Sequence, residues 1–141
     1  MIVLSQTDTT VGLLSHDPAL LNRAKGRSDT QPVIRTVKNL AVLREFVRVP
    51  AAHKNAVRRA RKTTFIFPNR ASLRVITGQH RAFFDRIKWI YSTSANKTGE
   101  PIDIEWAKTV SDVWVIPAGG LICGAPSAIY KLSKTNVKRV R

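Results

Sequence analysis

Trp89-Ile90-Tyr91-Ser92-Thr93-Ser94-Ala95-Asn96-Lys97-Thr98-Gly99-Glu100-Pro101 is the stretch on which the reading of this chain turns. An apolar run, Trp89 to Tyr91, gives way to hydroxyl and amide side chains, the pattern of a buried strand that opens into a polar loop. Ser92, Ser94 and Asn96 are two apart, so in extended backbone they share a face, where hydroxyls and an amide can converge on an anionic oxygen. Gly99 and Pro101 close the loop. Two readings stay open here: donors turned toward a ligand, or an Asx/Ser turn whose side chains bond their own backbone.

Outward from this loop, strand and helix signals alternate. Ile2 to Gln6 reads as a strand, Thr7-Asp8-Thr9-Thr10 as a loop facing a ligand, and Val11 to Leu14 as the next strand. Asp17-Pro18 starts a helix, with Asp as cap and Pro in the first turn, and Gly26 ends it between Lys25 and Arg27. Pro32 to Val37 is strand-like. Asn39 caps a helix through Val47, and Pro50 opens another that ends in Arg58, Arg59, Arg61 and Lys62, where cations also suit the macrodipole. Thr63 to Phe67 and Ser72 to Ile76 form a hairpin around Pro68-Asn69-Arg70-Ala71. His80 to Lys88 looks helical. Asp103 caps a helix to Val110; Val113 to Ile116, Ala128 to Leu132 and Val137 to Val140 are strands. The alternation predicts one α/β or α+β domain over residues 1–141, with no repeat and no low-complexity linker.

Composition narrows the function classes. The chain has 141 residues, 43% of them hydrophobic, enough for one core. Its 24 Lys and Arg against 9 acids leave a net charge of +15, spread along the sequence. Such an imbalance costs self-repulsion in the compact state, so it predicts a polyanionic partner or substrate. Cys123 is the only cysteine, which leaves neither a disulfide framework nor a thiolate zinc site within one chain. It is expected to be a small buried residue, and a reducing cytoplasm fits. His16, His53 and His80 read as surface or capping residues, no two at metal-ligand spacing. The amino terminus lacks a signal peptide, and no segment is long enough to cross a bilayer.

Two short clusters carry chemistry. Lys25-Gly26-Arg27 sets a point charge and a planar fork on alternate positions, and Ser94-Ala95-Asn96 sets two neutral donors likewise; a phosphate chain needs both kinds. Taken with Thr7-Asp8-Thr9-Thr10-Val11-Gly12 and Gly124-Ala125-Pro126-Ser127-Ala128-Ile129, in this order from Gln6 to Ile129, they resemble the YrdC/TsaC family of threonylcarbamoyl-AMP synthases. That family's pattern runs P-T-[DE]-T-x-[YF]-G, K-x-R, S-T-S-A-N-x-S-G and P-S-[TE]-I.

The resemblance implies a single twisted α/β domain with a positively charged concave face. It implies a reaction of L-threonine, bicarbonate and ATP, with Mg²⁺, that yields threonylcarbamoyl-AMP and pyrophosphate for modification of adenosine 37 in tRNA. Carried over by position, Lys25, Arg27, Ser94 and Asn96 match the catalytic tetrad. Thr7 and Thr9 match the threonine-side loop, Ala95 and Ser127 belong to the nucleotide side, and Arg139 or Arg141 matches a late arginine. Arg58, Arg59, Arg61 and Lys62 are left over as an RNA-binding cluster, with tRNA or tRNA-modifying proteins as partners. Asp8 is a Mg²⁺ ligand or a turn cap, and the turn is favoured.

The chain departs from the pattern in places. Gln6 replaces proline, Val11 replaces an aromatic residue of the amino-acid pocket, Ser28 stands where proline often follows the K-x-R arginine, and Arg61-Lys62-Thr63 replaces a P-G-P turn. The sequence also starts almost at the first motif, without the family's amino-terminal helix. These departures keep an alternative in view: a diverged, non-catalytic RNA-binding protein of the same fold. A looser pocket at Val11 predicts weak threonine binding that Val11→Tyr tightens.

Overall fold

The computed structural model describes residues 1–78 and 84–141. In chain order its elements are β1 (Val3–Gln6), β2 (Val11–Ser15), α1 (Pro18–Ala24), β3 (Ile34–Val37), α2 (Leu40–Phe46), a 3-10 turn (Ala51–His53), α3 (Lys54–Arg59), β4 (Thr63–Ile66), β5 (Ser72–Val75), β6 (Trp89–Ser94), α4 (Ile104–Val110), β7 (Val113–Val115), β8 (Ala128–Leu132) and β9 (Val137–Arg139). This is the mixed α/β class that the alternation of signals implies. Much of the helix expected over His80 to Lys88, His80 included, lies outside the described residues.

Three helix starts follow from one piece of chemistry. Asp17, Asn39 and Asp103 each accept a bond from a first-turn N–H through Oδ1, from Ala19, Val42 and Trp106 respectively, all at 2.9 Å. Each satisfies a donor that the helix itself cannot, worth about 1 kcal/mol.

The chain forms two compact units, residues 1–33 with 90–126, and residues 34–89 with 127–141. In the first unit the strand order is β7-β1-β2-β6. β2 pairs antiparallel with both β1 and β6, while β1 runs parallel to β7. The β2–β6 register sets Gly12 opposite Ser94 and Leu13 opposite Thr93. Ala95 N–H then donates to Val11 O at 3.1 Å, so the pairing runs past the strand end. Ser92 to Ser94 are therefore strand, not loop. A ready ladder on β2 outcompetes the turn tendency of serine, a choice that local propensity does not reveal. Gly12 suits this closeness, because a Cβ there would meet Thr93 O at a tight 3.0 Å.

The first unit's core gathers Leu4, Val11, Leu13, Leu21, Ala95 and Ala107. Val11 has 0% exposure, so it is a core residue and not the open pocket wall that the sequence reading assumed. Its antiparallel strand buries five consecutive residues and leaves no outward face at this position. Cys123 also departs from expectation: it is exposed, in a segment without regular structure.

In the second unit the order is β3-β5-β4-β8-β9. The β4–β5 hairpin is antiparallel as expected, and Arg70 takes φ 68° in its turn. β3 pairs parallel with β5, β4 parallel with β8, and β8 antiparallel with β9. Val37, Leu43, Val57, Phe65, Phe67 and Leu73 form a second apolar cluster, so burial is divided between two cores where composition alone suggested one. His53 is buried and not a surface residue, with Nε2 2.9 Å from Ser133 O; it stands at the N-cap position of α3 without a side-chain capping bond. Among the described residues, no helix is long and apolar enough to cross a membrane.

Candidate active site

The end of α1 builds the site. Lys25 N–H closes on Leu21 O at 3.2 Å, Gly26 turns the chain at φ 68°, and Arg27 N–H returns to Asn22 O at 2.8 Å. The left-handed position suits glycine and lets two cations leave the same helix end. Asn22 has no exposed surface. Its Nδ2 donates to Asp29 O at 3.2 Å and Gln31 O at 2.9 Å, which holds the next turn against the helix. From the other side Thr98 Oγ1 donates to Lys25 O at 3.0 Å.

Lys25 reaches across to the end of β6. Its Nζ lies 3.2 Å from Thr93 Oγ1, 3.0 Å from Ser94 O, 3.4 Å from Ser94 Oγ and 3.1 Å from Asn96 Oδ1. Arg27 Nη2 approaches the same Thr93 Oγ1 at 3.5 Å. The four tetrad residues are thus brought together. Thr93, which the spacing argument passed over, is the oxygen that both cations share. Its role depends on long-range register, and no local signal marks it.

Electrostatically the cluster is unbalanced. Among the described residues neither Lys25 nor Arg27 forms an ion pair with a carboxylate. Burial first, and then the neighbouring Arg27 charge, push the Lys25 ammonium down to about 8. Burial also lowers the Arg27 guanidinium below its usual value, and its Nε is buried with no hydrogen-bond partner. A guanidinium offers five N–H donors, and here one long bond uses one of them. The ammonium is fully bonded, whereas the partly buried guanidinium beside it keeps donors to spare, which suits an anion.

Asn96 plays a different part from the donor expected of it. Its Nδ2 is spent on Lys97 O at 3.0 Å and Glu100 O at 2.7 Å, which folds the loop. Its Oδ1 accepts from Lys25 and from Ser94 Oγ, so it is an acceptor that aims the ammonium. A carboxamide inside a tight loop satisfies the loop's carbonyls first, and that consumes the donors. Ser92 is buried opposite Leu14 and is not among the groups that Lys25 or Arg27 bond. Ala95 has a buried side chain, and its N–H and C=O bond Val11 O and Asp103 N; its part is spacing.

The Thr7 to Thr10 turn is bound largely to itself. Thr7 Oγ1 donates to Thr10 O at 2.6 Å, accepts from Thr9 and Thr10 N–H at 3.3 Å each, and lies 3.1 Å from Thr9 Oγ1. Gln6 fastens the 121–124 segment to it: Nε2 donates to Thr7 O at 3.2 Å while Oε1 accepts from Ile122 N at 2.7 Å. Gly124 N–H donates to Thr10 Oγ1 at 3.1 Å, and a Cβ at Gly124 would come 2.0 Å from Thr9 O. Only glycine fits there. Asp8 is buried in this turn.

In the second unit Ser127 is buried, with Oγ 2.8 Å from Thr64 Oγ1. Arg141, not Arg139, is the arginine beside it. Nε donates to Ser127 O at 3.0 Å and Nη2 to Ser127 Oγ at 3.3 Å. Burial lowers the Arg141 guanidinium as well. Arg139 is exposed on β9, opposite Tyr130. Arg58, Arg59, Arg61 and Lys62 are exposed around the end of α3, and the first three line a pocket of about 700 Å³.

Fold and site together define a mixed α/β protein with two paired cations at a helix end. Solved structures of the Sua5/YrdC family share this fold. Pyrococcus abyssi Sua5 complexed with L-threonine matches with a TM-score of 0.80 over 99% of this chain at 19% identity. Escherichia coli YciO matches with 0.75 at 18% identity, covering 82% of its own length, and Thermococcus kodakarensis HypF with 0.76 at 20% identity over 22% of that chain. The chain spans 49% of the Sua5 length. No family profile and no curated protein matches the sequence.

Proposed function

We infer that the protein is an L-threonylcarbamoyl-AMP synthase. The observation that carries this reading is the Lys25–Arg27 pair, held on Thr93, Ser94 and Asn96 and lacking a carboxylate partner. The shared fold with a Sua5 structure complexed with L-threonine supports the choice of amino acid. In the reaction the threonine amine and bicarbonate form a carbamate with loss of water. A carbamate oxygen attacks the α-phosphorus of ATP, and the bond to pyrophosphate breaks.

No nucleophilic side chain is needed. Charge builds on phosphate oxygens, and positioned cations stabilise it. Lys25, aimed by Asn96 and Ser94, supplies a point charge; Arg27, with donors to spare, supplies the fork. Mg²⁺ enters as part of the MgATP substrate and offsets charge on its phosphates. The product serves tRNA modification at position 37. Pyrophosphate release from MgATP tests this reading: it should require both L-threonine and bicarbonate. A non-catalytic RNA-binding protein of the same fold is the second reading, favoured by the Thr7 hydroxyl being consumed inside its own turn. RNA binding without threonine- and bicarbonate-dependent pyrophosphate release would establish it instead.

A further inference from the structure

Within the first unit, the segment after β7 is tied to the Thr7 to Thr10 turn by a side chain that the proposed reaction does not use. Residues 116–126 form neither helix nor strand, and most of them are exposed. Leu121 packs against the first unit's core, Ile122 N–H donates to Gln6 Oε1 at 2.7 Å, and Gly124 N–H donates to Thr10 Oγ1 at 3.1 Å. Gln6 is the last residue of β1, and its Nε2 donates to Thr7 O at 3.2 Å. One carboxamide thus spans from the start of the turn to the segment. At the other end of the turn the two backbones lie so close that a Cβ on Gly124 would stand 2.0 Å from Thr9 O. The segment therefore brackets the turn, held through Gln6 at Thr7 and directly at Thr10.

We propose that Gln6 is a positioning residue for the amino-acid side of the site: it clamps the 121–124 segment onto the Thr7 to Thr10 turn and so fixes the turn for L-threonine. The choice of ligand rests on the threonylcarbamoyl-AMP synthase reading; the clamp rests on the hydrogen bonds alone. Bonds within the turn set its shape, because Thr7 Oγ1 engages Thr10 O and the Thr9 and Thr10 N–H groups. Its placement is left to bonds from outside. An exposed, irregular segment opens locally at low cost in free energy, so each bond that closes it counts. A carboxamide is donor at one end and acceptor at the other, and this one makes both bonds only when the segment is closed. Closing the segment and ordering the turn then form one equilibrium. Glutamate would keep the acceptor and lose the donor, and proline, which the family pattern has at this position, offers neither. By linkage, a ligand that needs the ordered turn must in return hold the segment closed.

Residue-resolved amide hydrogen exchange of the full chain, followed by NMR with and without L-threonine, reads the clamp independently of turnover. Gln6→Ala should speed exchange at Ile122 and Gly124 by about 3- to 10-fold, the worth of one neutral hydrogen bond. Ala95 N–H, which donates to Val11 O in the adjoining ladder, should stay within about twofold of the parent rate. Saturating L-threonine should slow exchange at Ile122 and Gly124 in the parent chain by about 3- to 10-fold, and by less in Gln6→Ala. In pyrophosphate release, KM for L-threonine should rise about 3- to 10-fold in Gln6→Ala, while kcat and KM for MgATP stay within about twofold. Gln6→Glu should hold Ile122 exchange near the parent rate and recover part of the threonine KM. Gln6→Met, close in volume but without either polar atom, takes the place of Gln6→Ala if that variant fails to fold. Unchanged exchange at Ile122 and Gly124 overturns the proposal, as does a lower melting temperature and kcat with the threonine KM unchanged, which would make Gln6 a purely structural residue. Pyrophosphate release by the parent chain that does not need L-threonine, with no effect of threonine on exchange, overturns the synthase reading and this inference with it. A threonine-dependent parent whose KM is the same in Gln6→Ala overturns the inference alone.

Discussion

Replacing Arg27 by Gln separates a ligand-binding role from a structural one, because the two predict opposite signs for stability. In the folded chain Arg27 makes one bond of 3.5 Å, leaves Nε buried without a partner, and lowers the Lys25 ammonium through charge repulsion. Its removal from the ligand-free protein therefore costs little and relieves both penalties. The melting temperature of the variant should be unchanged or higher by up to ~5 °C, the equivalent of roughly 1 kcal/mol at this size. With a polyphosphate bound, the guanidinium has charge-assisted bonds to make, worth ~1.5–3 kcal/mol, or ~10- to ~150-fold in affinity. Calorimetric titration with MgATP and thermal unfolding without ligand measure the two effects. Arg27→Lys, which keeps the charge but not the fork, should recover part of the affinity. A melting temperature several degrees lower with MgATP affinity unchanged would refute the reasoning, and would make Arg27 a structural residue.

Three further outcomes follow from the same geometry. Lys25, held down at about 8 by burial and by Arg27, loses its proton in the ligand-free protein as pH rises through that value. Its folded value lies below the ordinary lysine value of 10.5, so folding gains stability between about pH 8 and 10.5 as the buried charge is neutralised, while affinity for MgATP falls over the same range. Lys25→Arg should abolish the fall in affinity, as titrations at pH 7 and 9 will register. Val11→Tyr places a ring where a residue with 0% exposure sits, and overpacking should cost ~1–3 kcal/mol in urea unfolding, in place of the tighter threonine binding that the sequence alone suggested. Ser127→Ala leaves buried Thr64 Oγ1 without its 2.8 Å partner and should cost ~1–3 kcal/mol, while Thr64→Val with Ser127→Ala recovers most of it.

The sequence was most legible where structure is dictated by neighbours in the chain. Asp17, Asn39 and Asp103 announce their helices because a cap acts within three residues, and each of the three holds the bond expected of it. The K-x-R and S-x-N spacings also converge as anticipated, through a helix end and a strand end. What failed depended on distant partners. Thr93 enters the cluster because β6 pairs with β2 in one register, and Asn96 turns its donors inward because its own loop claims them. His53 is buried by a carbonyl 80 residues away. Arg141 rather than Arg139 meets Ser127, a choice that the chain end leaves open until β8 and β9 pair.

The role proposed for the paired cations is the joining of a threonine carbamate to AMP. Incubation of the protein with MgATP, L-threonine and ¹³C-labelled bicarbonate, followed by mass spectrometry, tests it most directly. The expected product is a threonylcarbamoyl-AMP adduct carrying the label, formed with an equal amount of pyrophosphate and lost in Arg27→Gln. An AMP product without the labelled carbon, or no adduct from protein that binds MgATP, would contradict it.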